Sequence, residues 1–519
     1  MQFDCVIRGG TIVDGSGQRA PYPGDVGIVG DRIAALGDLD GAQAATVIDA
    51  RDRVVSPGFI DVHVHSEVAL LGGQDQMAGV RQGITTNLAS PDGFGWAPLD
   101  AQGTREMWRY TQFIYGEADL SFDWPSVEDY LDLFCGRIPA NVYPQVPHGA
   151  VRLRAMGWAV RPAVDEELQV MIHATREWMD AGAGALSLGL DYQPGANARL
   201  RELTTLARTV APYGGVYAAH VRSQLLGTVG AWQETLEIAR QTGVPVHISH
   251  ARVDADTGPI LDQVEREGID LTFESYLYPA GMTHLALYLP LDVQAGNLDD
   301  MLGRMSDPQV RQRCLGHLRG KLGQAGDQIV GYTGSGRYVG MTLAEAARSA
   351  NKDGAEFVYD LILDEGGMEA FTVPWLITGP EREQVLRRTA THTRVMIASD
   401  GVYGIPHPHP RGYGCFVHVL RRYVRELELL SLEQAIYRMS GLPAQRFGLT
   451  DRGQIATGKA ADLVVFDPQT VADRSTWQEP RRAPVGVDWV LVNGELAIER
   501  GAPTGKLPGR VLRRQYKTP

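Results

Sequence analysis

The segment Pro57-Gly58-Phe59-Ile60-Asp61-Val62-His63-Val64-His65 constrains the fold of this chain more than any other. A Pro-Gly turn feeds a short apolar run that ends in two histidines at positions i and i+2. Alternate residues of a strand face the same way, so both imidazoles can reach one ion, and neutral imidazole is a common ligand for Zn²⁺. The triplet alone is weak. With 13 His in 519 residues, chance supplies about 0.3 such triplets, and a second, His407-Pro408-His409, lies further on. Its weight comes from the buried strand ahead of it and from His and Asp at the ends of later strands.

From Pro57 to about Gly448 the pattern alternates strand with helix, which favours a parallel sheet. Strands are expected at 59–64, 85–89, 140–146, 185–190, 215–220, 244–250, 270–276 and 394–399. Helices such as 164–180, 230–242 and 432–439 lie between or after them. Eight strands of this kind predict a (β/α)₈ TIM-like barrel, whose active sites sit at the C-terminal strand ends. A long insert, about 281–345, is expected between strands seven and eight as a lid or subdomain over the mouth. Both chain ends read as short strands between Gly and Asp turns. The expected organisation is therefore a small β-sandwich domain from 1–56 plus 449–519, around a barrel at 57–448.

Hydrophobic content of 44 % and charged content of 21 % are those of an ordinary globular protein. A net charge of −13 argues against nucleic-acid or anionic-membrane partners. Cys5, Cys135, Cys314 and Cys415 form no C-x-x-C pair, which fits a reducing compartment without a disulfide framework. There is no signal-peptide pattern at Met1–Ile7 and no apolar run of membrane-spanning length. The expectation is a cytoplasmic, soluble protein, with its oligomeric state open.

The predicted strand ends carry His63-x-His65, His220-Val221-Arg222, His247-Ile248-Ser249-His250 and Ser399-Asp400-Gly401. His63, His65, His220, His250 and Asp400 form a nitrogen-and-oxygen donor set suited to Zn²⁺, Mn²⁺ or Co²⁺. Any one of these His could be a hydrogen-bonded core residue; five metal-type residues at the ends of four strands point to metal. His247, three residues before His250, is aimed oppositely by strand alternation and is read as structural.

At this point the chain resembles the amidohydrolase superfamily, and within it the D-aminoacylase (N-acyl-D-amino-acid deacylase) family. The resemblance runs end to end, through Ser56–Asp61 with the His pair, Val80–Thr86, Ser187–Gly195, His220–Arg222, His409–Gly414 and Ala460–Asp467. The segments around Tyr192 and Arg411 are the more specific to deacylases. The resemblance implies metal ligands at His63, His65, His220, His250 and Asp400, and binding of the substrate α-carboxylate by Arg411. Guanidinium suits that task, because it grips a carboxylate in bidentate fashion. Tyr192, Arg252 and Tyr278 are further candidates for the same pocket.

Two departures stand out. Where the family has Gly-Asn-Cys-Gly, with a cysteine ligand, this chain reads Ser90-Pro91-Asp92-Gly93. Asp92 keeps the negative charge but is a harder ligand, which relaxes a preference for Zn²⁺ toward Mn²⁺ or Co²⁺. Pro-Asp-Gly is also a turn signature that needs no metal, and both readings stand. Ser249-His250-Ala251-Arg252 replaces His-His-x-Lys, exchanging a point charge for a planar fork. Many binuclear relatives bridge their ions with a carboxylated lysine on strand four. The five lysines here (Lys321, Lys352, Lys459, Lys506, Lys517) all lie off the predicted barrel strands, which argues against that centre.

The expected activity is metal-dependent hydrolysis of the amide bond of N-acyl-D-amino acids, with one or two ions, Zn²⁺ foremost. A bound metal activates water and polarises a carbonyl, and Asp400 is expected to take the water's proton and pass it to the leaving nitrogen. Alternatives are another amide or cyclic-amide hydrolase of dihydroorotase or hydantoinase type, and a metal-free scaffold that keeps only the fold.

Overall fold

A computed structural model describes residues 2–73, 75–116, 120, 122, 124–325, 328–373 and 381–515. All eight expected barrel strands are present, and every pairing among them is parallel. Phe59–Asp61 pairs with Ile84–Leu88, which pairs with Asn141–Tyr143. Val146–Pro147, the continuation of that third strand, pairs with Ala185–Gly189, followed by Val216–His220, Val246–Ile248, Leu271–Ser275 and Val395–Ile397. Gly401–Val402 then pairs with Val64–His65 and closes the ring.

Closure is reinforced by side chains. Buried Asp61 accepts hydrogen bonds from the Ser399 amide (3.0 Å) and hydroxyl (2.5 Å), and the Asp400 amide donates to the His63 carbonyl (2.8 Å). Inside the ring, Ile60, Val62, Leu88, Ala218, Met396 and Ala398 meet Phe447 and Leu512 from the C-terminal side of the chain. The lumen is thus a packed core. The outer layer is helical, with Asp165–Asp180, Ser223–Thr242 and Leu432–Met439 at the expected places.

Strands from both chain ends join one nine-stranded sheet, linked where Leu463–Phe466 runs antiparallel to Val54–Pro57. One face builds its own core from Ile7, Ile12, Val26, Ile28, Val55 and Leu463; Val54, Val464 and Phe466 belong to the barrel's core.

Two expected boundaries are corrected. The insert does not stop at 345, because its three-stranded sheet pairs Thr283–His284 and Ile329–Thr333 with Ala370–Val373. The pairing partner lies far downstream, so no local signal at 345 marks an end. The C-terminal tail also leaves the β-domain. The Val142 amide donates to the Arg510 carbonyl (2.9 Å) and the Leu512 amide to the Val142 carbonyl (2.7 Å), which places 509–514 on the barrel floor.

Candidate active site

The barrel's C-terminal strand ends converge on one cavity of about 450 Å³, whose lining includes His65, Asp92, Tyr192, His220, His250, Arg252, Asp400 and Arg411. His63 lies just beneath. Its Nε2 is 3.5 Å from Asp92 Oδ1 and 3.7 Å from Asp400 Oδ1. His65 Nε2 is 3.7 Å from Asp92 Oδ2 and from Asp400 Oδ1. His220 Nδ1 is 3.7 Å from Asp92 Oδ1 and 3.0 Å from His250 Nε2. All six sequence candidates for metal ligation, Asp92 among them, therefore face one another.

Their donor atoms form two groups, His63–Asp92–His250 and His63–His65–Asp400, each with its atoms within 4.8 Å of one another. The donor set fits a divalent cation on its own terms. His63 Nε2 and Asp92 Oδ1 are buried without a hydrogen-bond partner, a costly state unless something else satisfies them. All the donors are imidazole nitrogen or carboxylate oxygen, which suits Zn²⁺, Mn²⁺ or Co²⁺. Strand four, Ala185–Gly189, carries no lysine.

The backbone at these positions is unusual. Asp92 (φ 55°), His250 (φ 36°) and Asp400 (φ 45°) are all left-handed, a conformation that disfavours side-chain-bearing residues and clusters at functional sites. At Asp92 the Ser90–Gly93 turn brings the carboxylate to within 3.5–3.7 Å of His63, His65 and His220. Buried Glu67 pins it, its Oε1 accepting from the Ser90 amide (2.5 Å). Strand six stops at Ile248, and the left-handed His250 undoes the alternation expected between His247 and His250. The His247 side chain and the His250 amide (2.7 Å) both meet the Glu274 carboxylate.

Glu274 also binds His63 Nδ1 at 2.9 Å, fixing the ring so that Nε2 faces the site. Asp191 holds the Ser223 hydroxyl (2.9 Å) and the Gln224 amide (2.9 Å), with His220 Nε2 at 3.4 Å. Both carboxylates escaped the sequence reading. A signal for Glu274 exists, since a charged residue between Phe273 and Ser275 in a strand buried on both faces is anomalous. Asp191 lies in a loop and has no such signature.

Charge is apportioned by these neighbours. Burial alone would raise the pKa of Asp92, but His63, His220 and His250 hold it far below the usual carboxylate range. Burial opposes protonation of His63, yet the Asp92 and Asp400 carboxylates raise its pKa well above that of free imidazole. His65 is pushed down to about 3 by burial. Burial raises Asp400 to about 6, against the lowering pull of Arg411 and His63.

Buried Arg411 begins the helix Arg411–His418. Its guanidinium lies 2.8 Å from Asp400 Oδ2 and stacks 4.3 Å over the Tyr276 ring. Arg252 donates to the Tyr276 hydroxyl (3.2 Å). Tyr192 lies against Phe94 (5.0 Å) and His220 (4.7 Å). The structure does not bring Tyr278 to the cavity wall. Leu277 is left-handed (φ 56°) and breaks the strand period, so Tyr278 stacks behind on His418 (4.7 Å) and Tyr276 faces the cavity instead.

Residues 46–498 match the family model described as amidohydrolase family. The chain is 35 % identical to an N-acyl-D-glutamate deacylase of Alcaligenes xylosoxydans xylosoxydans over 99 % of this chain and 97 % of that protein. It is 34 % identical to a D-aminoacylase of the same organism, over 99 % and 98 %. Among solved structures, the N-acyl-D-glutamate deacylase of Bordetella bronchiseptica, complexed with zinc and a phosphonate mimic of the reaction's tetrahedral intermediate, superposes with a TM-score of 0.82 at 31 % identity, covering 99 % of this chain and 100 % of that one.

Proposed function

Because the chain belongs to the amidohydrolase family, we propose that it hydrolyses the amide bond of N-acyl-D-amino acids, releasing a carboxylate and a free D-amino acid. The observation that carries this reading is the meeting of His63, His65, Asp92, His220, His250 and Asp400 at one cavity, with Arg411 paired to Asp400 at its edge. Full-length similarity to deacylases of D-amino-acid substrates supports the class and the D-configuration. His63, His65, Asp92, His220, His250 and Asp400 would hold one or two ions, Zn²⁺ foremost and Mn²⁺ or Co²⁺ as alternatives. When bound, the metal supplies Lewis-acid polarisation of a carbonyl and activation of water.

The chain's own residues do the rest. Arg411 binds the α-carboxylate and so orients the scissile amide. Asp400 Oδ2 is engaged by Arg411, which leaves Oδ1, the oxygen facing His63 and His65, to handle the proton. As water adds to the acyl carbon, Oδ1 takes its proton. It returns that proton to the nitrogen as the C–N bond breaks. Tyr192 and Arg252 line the same cavity, and Glu274 keeps His63 in register.

The test is to purify the protein with Zn²⁺, Mn²⁺ or Co²⁺, measure bound metal, and assay matched N-acetyl-D- and N-acetyl-L-amino acids. Stoichiometric metal and release of D-amino acids only are expected. Metal-free protein, or no release from any D-substrate with any metal, overturns the proposal.

A further inference from the structure

Strand alternation reads His247 as a structural residue of the core, and the structure gives that residue a task. It lies inside the barrel on strand six, directly across from Thr272 on strand seven, and its ring packs edge-on against Phe447 at 5.4 Å. Its Nδ1 is 2.8 Å from the Thr272 hydroxyl, and its Nε2 is in contact with Glu274 Oε2. Thr272 and Glu274 stand at i and i+2 of one strand, so both side chains point to the same face. All three residues are buried.

The other carboxylate oxygen of Glu274 faces the metal donors. Oε1 lies 2.9 Å from His63 Nδ1 and accepts from the His250 amide at 2.7 Å. One carboxylate therefore sets both the ring of His63 and the left-handed backbone of His250 (φ 36°). An ionised carboxylate only accepts, so each ring nitrogen facing it carries the hydrogen. That leaves the lone pair of His63 on Nε2, the atom turned toward Asp92 and Asp400. It likewise leaves His247 Nδ1 to accept from the Thr272 hydroxyl. The tautomers of both rings follow from one buried chain of contacts, Thr272–His247–Glu274–His63.

Among the described residues, His247 is the polar side chain that meets Oε2. Without it that oxygen would be buried and unpaired, a costly state, and the carboxylate would be drawn out of line with His63. We infer that His247 is a positioning residue of the metal centre, holding Glu274 so that His63 and His250 present their donor atoms to the ion. This role presupposes the metal-dependent reading proposed above and extends it to a residue that touches no ion.

Metal affinity tests the role more directly than turnover does. Zn²⁺ affinity of the metal-stripped protein is measured by competition with a chromophoric chelator, and thermal unfolding of the metal-free forms is followed in parallel. His247→Leu should weaken Zn²⁺ binding by about 10–100-fold, the usual effect of losing a group that orients a ligand. His247→Gln, whose amide can place an N–H against Oε2, should restore most of the affinity. If His247 acts through Glu274, adding His247→Leu to Glu274→Gln should weaken binding no further than Glu274→Gln alone. Parental affinity in the leucine variant, even with lowered thermal stability, or additive losses in the double variant, overturns the inference and leaves the proposed function standing. Should the leucine variant not fold, Thr272→Val decides: weaker binding supports the role and parental affinity overturns it. A parent protein that binds no Zn²⁺, Mn²⁺ or Co²⁺ overturns the proposed function itself.

Discussion

Asp400 sits between opposed influences, and its titration reports on them. Burial raises its pKa to about 6, while Arg411 at 2.8 Å and His63 pull it down. Only the ionised carboxylate can accept a proton, so kcat/KM should rise with pH as Asp400 loses its proton. Arg411→Met removes one lowering influence, and the acid limb should move to higher pH as KM rises. Arg411→Lys keeps the charge, and its limb should stay close to that of the parent protein. A bound cation lowers the limb of all three proteins alike, so the difference between them tests the pairing. Coincident limbs in pH profiles of parent and Met variant would remove Arg411 from contact with Asp400. At this scale the sequence exposed side chains whose chemistry repeats at strand ends, such as His63, His220 and Asp400. It concealed those whose role depends on a partner distant in sequence. Glu274 bonds to His63, 211 residues away. Tyr276 displaces Tyr278 because of one backbone angle at Leu277.

At the scale of elements, the seam between the first and eighth strands sets the site. His63 and Asp400 lie on its two sides, joined by the Asp400 amide bond to the His63 carbonyl and by Asp61 with Ser399. Ser399→Ala deletes a hydroxyl donor to a fully buried carboxylate. Leaving such an acceptor partly unsatisfied costs about 1–3 kcal/mol. The expected result is a lower urea midpoint together with reduced kcat, because the same seam spaces His63 from Asp400. An unchanged midpoint would mean that the strand pairing alone closes the barrel. The eight strands were legible because each is a short apolar run between turn signals. The extent of the insert was not, since the strand Ala370–Val373 completes a sheet begun 87 residues earlier, at Thr283. Pairing of that range leaves no local periodicity to read.

The whole molecule is tied together by its chain ends. The N-terminal strands lead directly into the first barrel strand, and the C-terminal strands return to pair with them, so the nine-stranded sheet fixes where the barrel begins. The tail then crosses to the barrel floor, opposite the catalytic mouth. There the amides of Gly509, Val142, Leu512 and Arg514 bond to the carbonyls of Ile138, Arg510, Val142 and Gly182 at 2.7–2.9 Å. Leu512 fills the lumen beside Phe447. Removing residues 509–519 deletes these backbone bonds, at about 1 kcal/mol each. It also uncovers an apolar plug worth about 2 kcal/mol. The total, roughly 6 kcal/mol, is comparable to the whole stability of many domains. The truncated protein should therefore unfold at markedly lower temperature or accumulate in inclusion bodies, although no residue of the catalytic mouth has been touched. Thermal unfolding of the purified truncation decides the matter, and a transition within a degree or two of the full chain would show that the floor is sealed without the tail.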